Sequence, residues 1–192
     1  MQDIVLASSS VYRAELLNRL PLEWSAHPPD IDERVLPGET PEALVERLAS
    51  EKAYAIAVDH PLALIIGSDQ VATVEGAILG KPGTLAKTCE QLSQMSGKRV
   101  RFLTAVYIVN AATGQHRQAL DTTVASLRNL TSNEIKRYVE FDKPINCAGG
   151  FKVESLGVSL FQRIETRDPT ALIGLPMIAL CQALRELGIP LP

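Results

Sequence analysis

Apolar residues fall into two rhythms along this chain, and the changes of rhythm mark its elements. Ile4-Val5-Leu6 is a short apolar run, followed by three serines and by Leu16, Leu17 and Leu20 at helical spacing. That order predicts a strand, a Ser turn and a helix over Arg13 to Leu20. Leu22 to Ala26 reads as a second strand, and it runs into His27-Pro28-Pro29-Asp30-Ile31-Asp32-Glu33-Arg34. Two adjacent prolines forbid regular structure there, so an acidic loop is expected. Thr40-Pro41-Glu42 then opens a helix to about Val58, with Thr40 as N-cap and Pro41 at the first helical position. Leu44, Val45, Leu48, Ala49, Ala53, Ile56 and Ala57 make its apolar stripe.

Leu64-Ile65-Ile66-Gly67 suits a strand covered on both faces, and the apolar run ends abruptly in Ser68, Asp69 and Gln70. Asp69 is therefore expected at the carboxyl end of a buried strand, where open α/β sheets gather ligands. The alternative is that Ser68 and Asp69 only cap the strand. A hairpin follows around Glu75-Gly76, and Gly80-Lys81-Pro82 presents Lys81 on a constrained turn. Further along come a helix over Thr84 to Ser96 and two strands, Arg99 to Asn110 and Gln115 to Leu130, joined at Ala112-Thr113-Gly114. A helix capped by Thr131 runs through Glu140, a strand covers Val158 to Ile164, and a final apolar helix follows Leu172-Ile173-Gly174-Leu175-Pro176. Strands alternate with helices while some pair as hairpins, so the fold class is α/β of mixed α+β character, with a mixed sheet.

Composition narrows the choices. The 192 residues are 46% hydrophobic, enough for one core or for two lobes sharing a sheet, and no repeat or low-complexity segment separates a second domain. Residues 1–192 are expected to be one domain with two lobes. Nineteen Lys plus Arg against 22 Asp plus Glu give a net charge of -3 without a basic stripe, which argues against nucleic acid as partner. Met1-Gln2-Asp3 lacks the basic start and apolar core of a secretory signal, and the Leu172 to Leu184 stretch, broken by Pro176 and Gln182, is too short to span a bilayer. The expected setting is the cytoplasm, with no membrane partner. Cys89, Cys147 and Cys181 are odd in number and widely spaced, which fits reduced thiols. Cys147 as a nucleophile has no local partner among His27, His60 and His116, and a small buried thiol is the commoner outcome.

A few polar residues stand where a simple amphipathic pattern would not put them. Ser8, Ser9 and Ser10 at a helix start are either plain caps or a phosphate cradle. Arg13 lies one and two turns before Leu17 and Leu20, near the buried face, and its guanidinium needs an anion, either a ligand's or an internal carboxylate. Lys52 sits inside the apolar stripe of its helix and either snorkels or points into a site. Asp30, Asp32 and Glu33 carry the oxygens that magnesium or manganese prefers, although a solvated acidic loop is the default. Arg13, Lys52 and Lys81 as cations with Glu33 and Asp69 as acids suit a metal-bound polyphosphate. Spacing alone leaves their meeting in space open.

Seven short motifs in order, Leu6-Ala7-Ser8-Ser9-Ser10-x-x-Arg13, Asp32-Glu33, Glu51-Lys52-Ala53, Gly67-Ser68-Asp69-Gln70, Gly80-Lys81-Pro82, Cys147-Ala148-Gly149 and Gly174-Leu175-Pro176, resemble the Maf family over essentially the whole chain. The resemblance implies a nucleoside triphosphate pyrophosphatase of two lobes, with a long, mixed, curved sheet flanked by helices, an inosine-triphosphatase-like architecture and the active site in the cleft. It implies a divalent cation, Mg²⁺ or Mn²⁺, held by Glu33 and Asp69, with Asp69 also the general base, Lys52 and Lys81 as catalytic cations, and Ser8, Ser10 and Arg13 on phosphate. Ser68-Asp69-Gln70 in place of the more usual Ala-Asp-Thr, together with Phe151-Lys152-Val153-Glu154, is similar to the subgroup that hydrolyses 7-methyl-GTP. In that reading Tyr12, Gln70 and Glu154 select the base. A carboxylate at Glu154 offsets the positive charge that N7 methylation puts on guanine, and Tyr12 stacks where another subgroup carries Arg. The family's Ser-Pro-x-Arg-Arg is here Ser10-Val11-Tyr12-Arg13-Ala14, which removes a rigid proline and one arginine. The same resemblance leaves open hydrolysis of dTTP, UTP or other modified nucleotides, a non-hydrolytic role in regulating cell division, and a homodimer.

Overall fold

The computed structural model describes residues 3–192; Met1 and Gln2, on which part of the chain-start reading falls, lie outside the described residues. Among the described residues seven strands and five α-helices follow one another as β1 (Ile4–Ala7), α1 (Val11–Leu17), β2 (Ser25–Ala26), α2 (Pro41–Ala57), β3 (Leu64–Val74), β4 (Ala77–Leu79), α3 (Leu85–Met95), β5 (Arg99–Asn110), β6 (His116–Leu127), α4 (Ser132–Asp142), β7 (Phe161–Glu165) and α5 (Met177–Glu186). The strands form one sheet in the order β2-β1-β3-β5-β6-β7, with β4 paired to β3 outside that path. β1 runs parallel to both β2 and β3, whereas β3–β4 and β6–β7 are antiparallel. The sheet is mixed, as expected. No described helix is long and apolar enough to cross a membrane.

Local chemistry accounts for the helix boundaries. Threonine hydroxyls accept the backbone N–H three residues on at each of α2, α3 and α4: Thr40 from Ala43, Thr84 from Lys87 and Thr131 from Glu134. At α4 the Glu134 carboxylate returns the bond to the Thr131 N–H, a capping box that holds its carboxyl down at about 2. Glu75 (φ 51°) and Gly76 (φ 85°) are both left-handed, the backbone that closes the tight β3–β4 hairpin.

Several boundaries differ from expectation, each for a physical reason. β3 does not stop at Asp69. Ala72, Thr73 and Val74 find a ladder in β4, so the strand runs on and Asp69 lies in its interior. The parallel partner β1, however, pairs with β3 only as far as Ala7 opposite Gly67, so Asp69 still stands just beyond the carboxyl end of a parallel neighbour. The expected strand over Leu22 to Ala26 shrinks to Ser25–Ala26, between Pro21 and the Pro28-Pro29 pair. α1 begins at Val11 because Ser10 caps it. β6 ends at Leu127 with a bulge between Ser126 and Leu127. The strand expected from Val158 begins only at Phe161, because residues Leu156–Leu160 curl into a 3₁₀ turn. That turn depends on Gly157, where a Cβ would sit 2.3 Å from the Lys152 carbonyl oxygen.

The chain divides into two compact units: one comprises the residues up to Asp69, Thr104–Asp121 and Asp168–Pro192, the other Gln70–Leu103 and Thr122–Arg167. In the first, Ile4 and Leu6 of β1, Leu64 and Ile66 of β3, Val106 and Ile108 of β5, Leu16 and Leu17 of α1, and Leu180 and Leu184 of α5 pack together. In the second, Phe151 meets the rings of Phe102 and Phe161 edge-on at 5.2 and 4.8 Å, amid buried Leu92, Met95 and Tyr138.

Gly67 fixes how α2 lies on β3. A Cβ there would come within 2.1 Å of the Ala49 carbonyl oxygen and 2.9 Å of the Ala53 nitrogen, both backbone atoms of α2. Gly67→Ala is therefore expected to push the helix away and to destabilise the fold by at least ~1–3 kcal/mol, the usual cost of overpacking. A lowered urea midpoint with an unchanged slope is the measurement. The same close approach brings Lys52, which lies between Ala49 and Ala53 in sequence, beside Asp69, two residues beyond Gly67 on the same face of β3.

Candidate active site

Polar residues extend the apolar stripes of two strands just where the parallel pairing stops. On β1 the inward residues Ile4 and Leu6 are succeeded by Ser8, and on β3 Leu64 and Ile66 are succeeded by Ser68; both serines are buried. The opposite face of β3 carries Gly67 and then Asp69. Around these positions the first unit assembles Ser8, Ser10, Arg13, Glu33, Lys52, Ser68, Asp69 and Gly174.

Lys52 is the centre of charge. Its Nζ donates to Asp69 Oδ1 at 2.6 Å and lies 2.7 Å from Glu33 Oε1. The lysine and aspartate side chains are 8% and 10% exposed and Glu33 is 51% exposed, so the pair is inside and the second acid reaches it from the solvent side. An amphipathic helix does not bury an ammonium without cause, and here two carboxylates supply it. The snorkelling alternative does not hold.

Arg13 lies on the neighbouring helix α1 with its stem packed inward. Its Nε donates to the Gly174 carbonyl at 2.9 Å and its Nη1 to Ser8 Oγ at 3.3 Å. Burial pushes its guanidinium below the ordinary arginine value, and the charges of Asp69 and Glu33 oppose that push. Its anion is thus the Asp69–Glu33 field, and its hydrogen bonds go to uncharged groups. Ser10 Oγ accepts the Arg13 N–H at 3.4 Å, a capping role, and Ser8 Oγ accepts the Ser10 N–H at 3.1 Å. Tyr12 is half-buried on the same short helix.

Gly174 is a participant that side-chain patterns do not reveal. Its carbonyl also accepts from Ser68 Oγ at 3.1 Å, so one backbone oxygen ties β3 to α1. The segment before α5 is itself fixed by Asp168, whose Oδ1 accepts the Thr170 N–H at 2.9 Å and whose Oδ2 accepts the Ile178 N–H at 2.7 Å. Gly174 has φ 128°, which explains why that position is glycine. Of the acidic loop, only Glu33 reaches Lys52: Asp32 is held by its neighbour Arg34, which lowers its carboxyl, and Asp30 is exposed.

The remaining expected site residues belong to the second unit. Gln70 follows Asp69 in β3 and is half-buried. Lys81 is exposed on a turn held by two bonds, Gly83 N–H to Ile145 O at 2.8 Å and Gln91 Nε2 to Gly80 O at 3.0 Å. Glu154 is exposed in a turn whose flanks are fixed to α4, with Lys152 N–H donating to Tyr138 Oη at 2.9 Å and Ser155 Oγ to Asp142 Oδ1 at 2.7 Å.

The sequence profile described as "Maf-like protein" matches residues 3–187. The chain belongs to the Maf family. Within it, a protein of Xanthomonas campestris pv. campestris named 7-methyl-GTP pyrophosphatase is 52% identical over 192 residues, the full length of both chains. One of Pseudomonas putida with the same name is 50% identical, again over the full length of both. Among solved structures, the Ham1 protein of Staphylococcus aureus superposes with a TM-score of 0.55 at 17% identity, covering 96% of this chain and 98% of that one. A HAM1 protein of Coxiella burnetii gives 0.53 at 16%, covering 97% and 98%. At such identities the two structures show a shared fold. The site residues expected from the sequence thus fall into two sets: Ser8, Ser10, Tyr12, Arg13, Glu33, Lys52 and Asp69 belong to the first unit, and Gln70, Lys81 and Glu154 to the second.

Proposed function

We propose that this chain hydrolyses 7-methyl-GTP to 7-methyl-GMP and pyrophosphate with the help of a divalent cation, Mg²⁺ or Mn²⁺. The observation that carries the reading is the Lys52 ammonium shared between Asp69 and Glu33, with Arg13 in the field of both acids. The name of the full-length relatives supports the choice of substrate.

Asp69 and Glu33 fit the cation by chemistry, being hard carboxylate oxygens converging on one positive charge. Among the described residues no group of three or more His, Cys, Asp or Glu is placed to hold a metal. Two carboxylates suit an ion that completes its shell with substrate phosphates and water. When bound, the cation withdraws charge from the phosphate oxygens. Asp69 accepts the proton of a water whose oxygen attacks the α-phosphorus. The bond from that phosphorus to the bridging oxygen breaks, and pyrophosphate leaves with the electron pair. Arg13, Lys52 and Lys81 offset the charge of the triphosphate and the charge growing on the leaving oxygens, and the Ser8 and Ser10 hydroxyls donate hydrogen bonds to phosphate oxygens. Tyr12, Gln70 and Glu154 read the base. A homodimer working in the cytoplasm is part of the same reading.

With magnesium or manganese, purified protein is expected to release pyrophosphate faster from 7-methyl-GTP than from GTP, dTTP or UTP. Faster release from dTTP or UTP moves the substrate within the family, and binding without release from any triphosphate makes the chain a nucleotide-binding regulator. Glu154→Gln is expected to erode the preference for 7-methyl-GTP over GTP by roughly tenfold, since a carboxylate facing a cationic base is worth on the order of 1–2 kcal/mol. The rate on GTP should change little; an unchanged ratio removes Glu154 from base selection.

A further inference from the structure

The loop that carries Glu33 has no regular structure from His27 to Glu39, yet Glu33 is brought within 2.7 Å of Lys52. A loop of this length is fixed only by what it is tied to. The tie is on α2. Arg47 Nε donates to Glu39 Oε1 at 2.6 Å and its Nη2 to Glu39 Oε2 at 2.9 Å, a two-pronged grip. The same Nη2 donates to the Arg34 carbonyl at 2.9 Å, the residue directly after Glu33, and Nη1 reaches Glu51 Oε2 at 3.0 Å. Glu39 Oε2 in turn accepts the Leu36 N–H at 2.9 Å.

One guanidinium therefore binds the start and the end of residues 34–39 to the helix that also bears Lys52. The pair is sheltered, at 21% and 8% exposure, unlike the outer Arg34–Asp32 pair at 86% and 57%. The grip of Arg47 keeps the Glu39 carboxyl down at about 2, so the tie is intact at any pH used to assay hydrolysis.

We infer that Arg47 is a positioning residue: by clamping Glu39 and the Arg34 carbonyl to α2 it sets Glu33 against Lys52. The inference rests on the reading of Glu33 as one of the two cation-holding acids. Arg47 itself touches neither the acids of the site nor Lys52 in any of these contacts, so its effect passes through the loop.

The test compares the parent with Arg47→Met, Arg47→Lys, Glu33→Gln and the Arg47→Met/Glu33→Gln double variant. Four quantities are read: the Mn²⁺ concentration for half-maximal pyrophosphate release, kcat and KM for 7-methyl-GTP, and hydrogen exchange at the Leu36 amide. Arg47→Met is expected to raise the half-activating Mn²⁺ by ~10-fold or more, as loss of a residue supporting a ligand does. Leu36 exchange should accelerate while exchange in β3 stays slow. The double variant should be no worse than Glu33→Gln alone, because a loop without its acid has nothing left to position. Arg47→Lys, which keeps the charge and loses the fork, should fall between.

Multiplying effects in the double variant, or unchanged Leu36 exchange in Arg47→Met, would overturn the inference. If Glu33→Gln alone keeps the parent's Mn²⁺ dependence, the cation-holding assignment of Glu33 is what fails. The clamp is then judged on Leu36 exchange, where acceleration upholds it as a loop tie and parent-like exchange rejects it.

Discussion

Asp69→Asn is expected to lower pyrophosphate release by about 10²–10⁴-fold, the usual worth of a positioned general base. The substitution is nearly isosteric, and its amide oxygen still accepts from Lys52 Nζ, so melting should stay close to the parent's. What it removes is the ability to take a proton from water, together with one of the two carboxylate charges proposed to hold the cation, which saturating manganese offsets. Single-turnover release with manganese saturating, compared at matched folding, is the deciding measurement. A variant as fast as the parent would mean that Asp69 is only the partner of Lys52, and the proton would then need another acceptor.

Lys52→Met is the second large effect, and it acts on two quantities at once. Methionine keeps most of the buried stem but leaves the Asp69 carboxylate, 10% exposed, without its ammonium. Breaking a fully buried pair costs ~3–5 kcal/mol; because Glu33 is half-exposed, roughly 2–3 kcal/mol is expected here. Activity should fall by on the order of 10²–10³-fold, as when one preorganised electrostatic contact to the transition state is removed. Chemical denaturation gives the first figure and steady-state rates the second. Lost activity with parent-like stability would show that the Lys52–Asp69 contact contributes nothing to the fold.

Lys52 is legible in the sequence because a charge interrupts an otherwise apolar stripe, which leaves open whether it snorkels or points into a site. Arg13 was legible for the same reason. By residue pattern Glu33 is one acid among three, set apart only by the family resemblance; in the structure Arg34 takes Asp32, and Arg47 holds the Arg34 carbonyl, next to Glu33, to α2. The extent of β3 is hidden in the sequence because Ser68, Asp69 and Gln70 look like a strand end, whereas the ladder supplied by β4 and the partners of Ser68 and Asp69 let polar residues continue the strand. The helices were read closely because their threonine caps and apolar spacing are local. Gly174 illustrates the opposite case. The Gly174-Leu175-Pro176 motif marks the position, but every residue has a carbonyl, and no side-chain pattern shows that this one accepts from both Arg13 and Ser68.

That carbonyl has an implication for how the protein can vary. Surface connections ordinarily absorb insertions and deletions with little effect. The connection from Asp168 to Pro176 is anchored at one end by Asp168 on the Ile178 N–H and near the other by Gly174 on Arg13 and Ser68, so its contour length is a ruler between α5 and the carboxyl end of β1. Adding or removing one residue there would shift the Arg13 guanidinium without altering a single side chain of the site. Drift among relatives should therefore change the composition of this connection and leave its length alone.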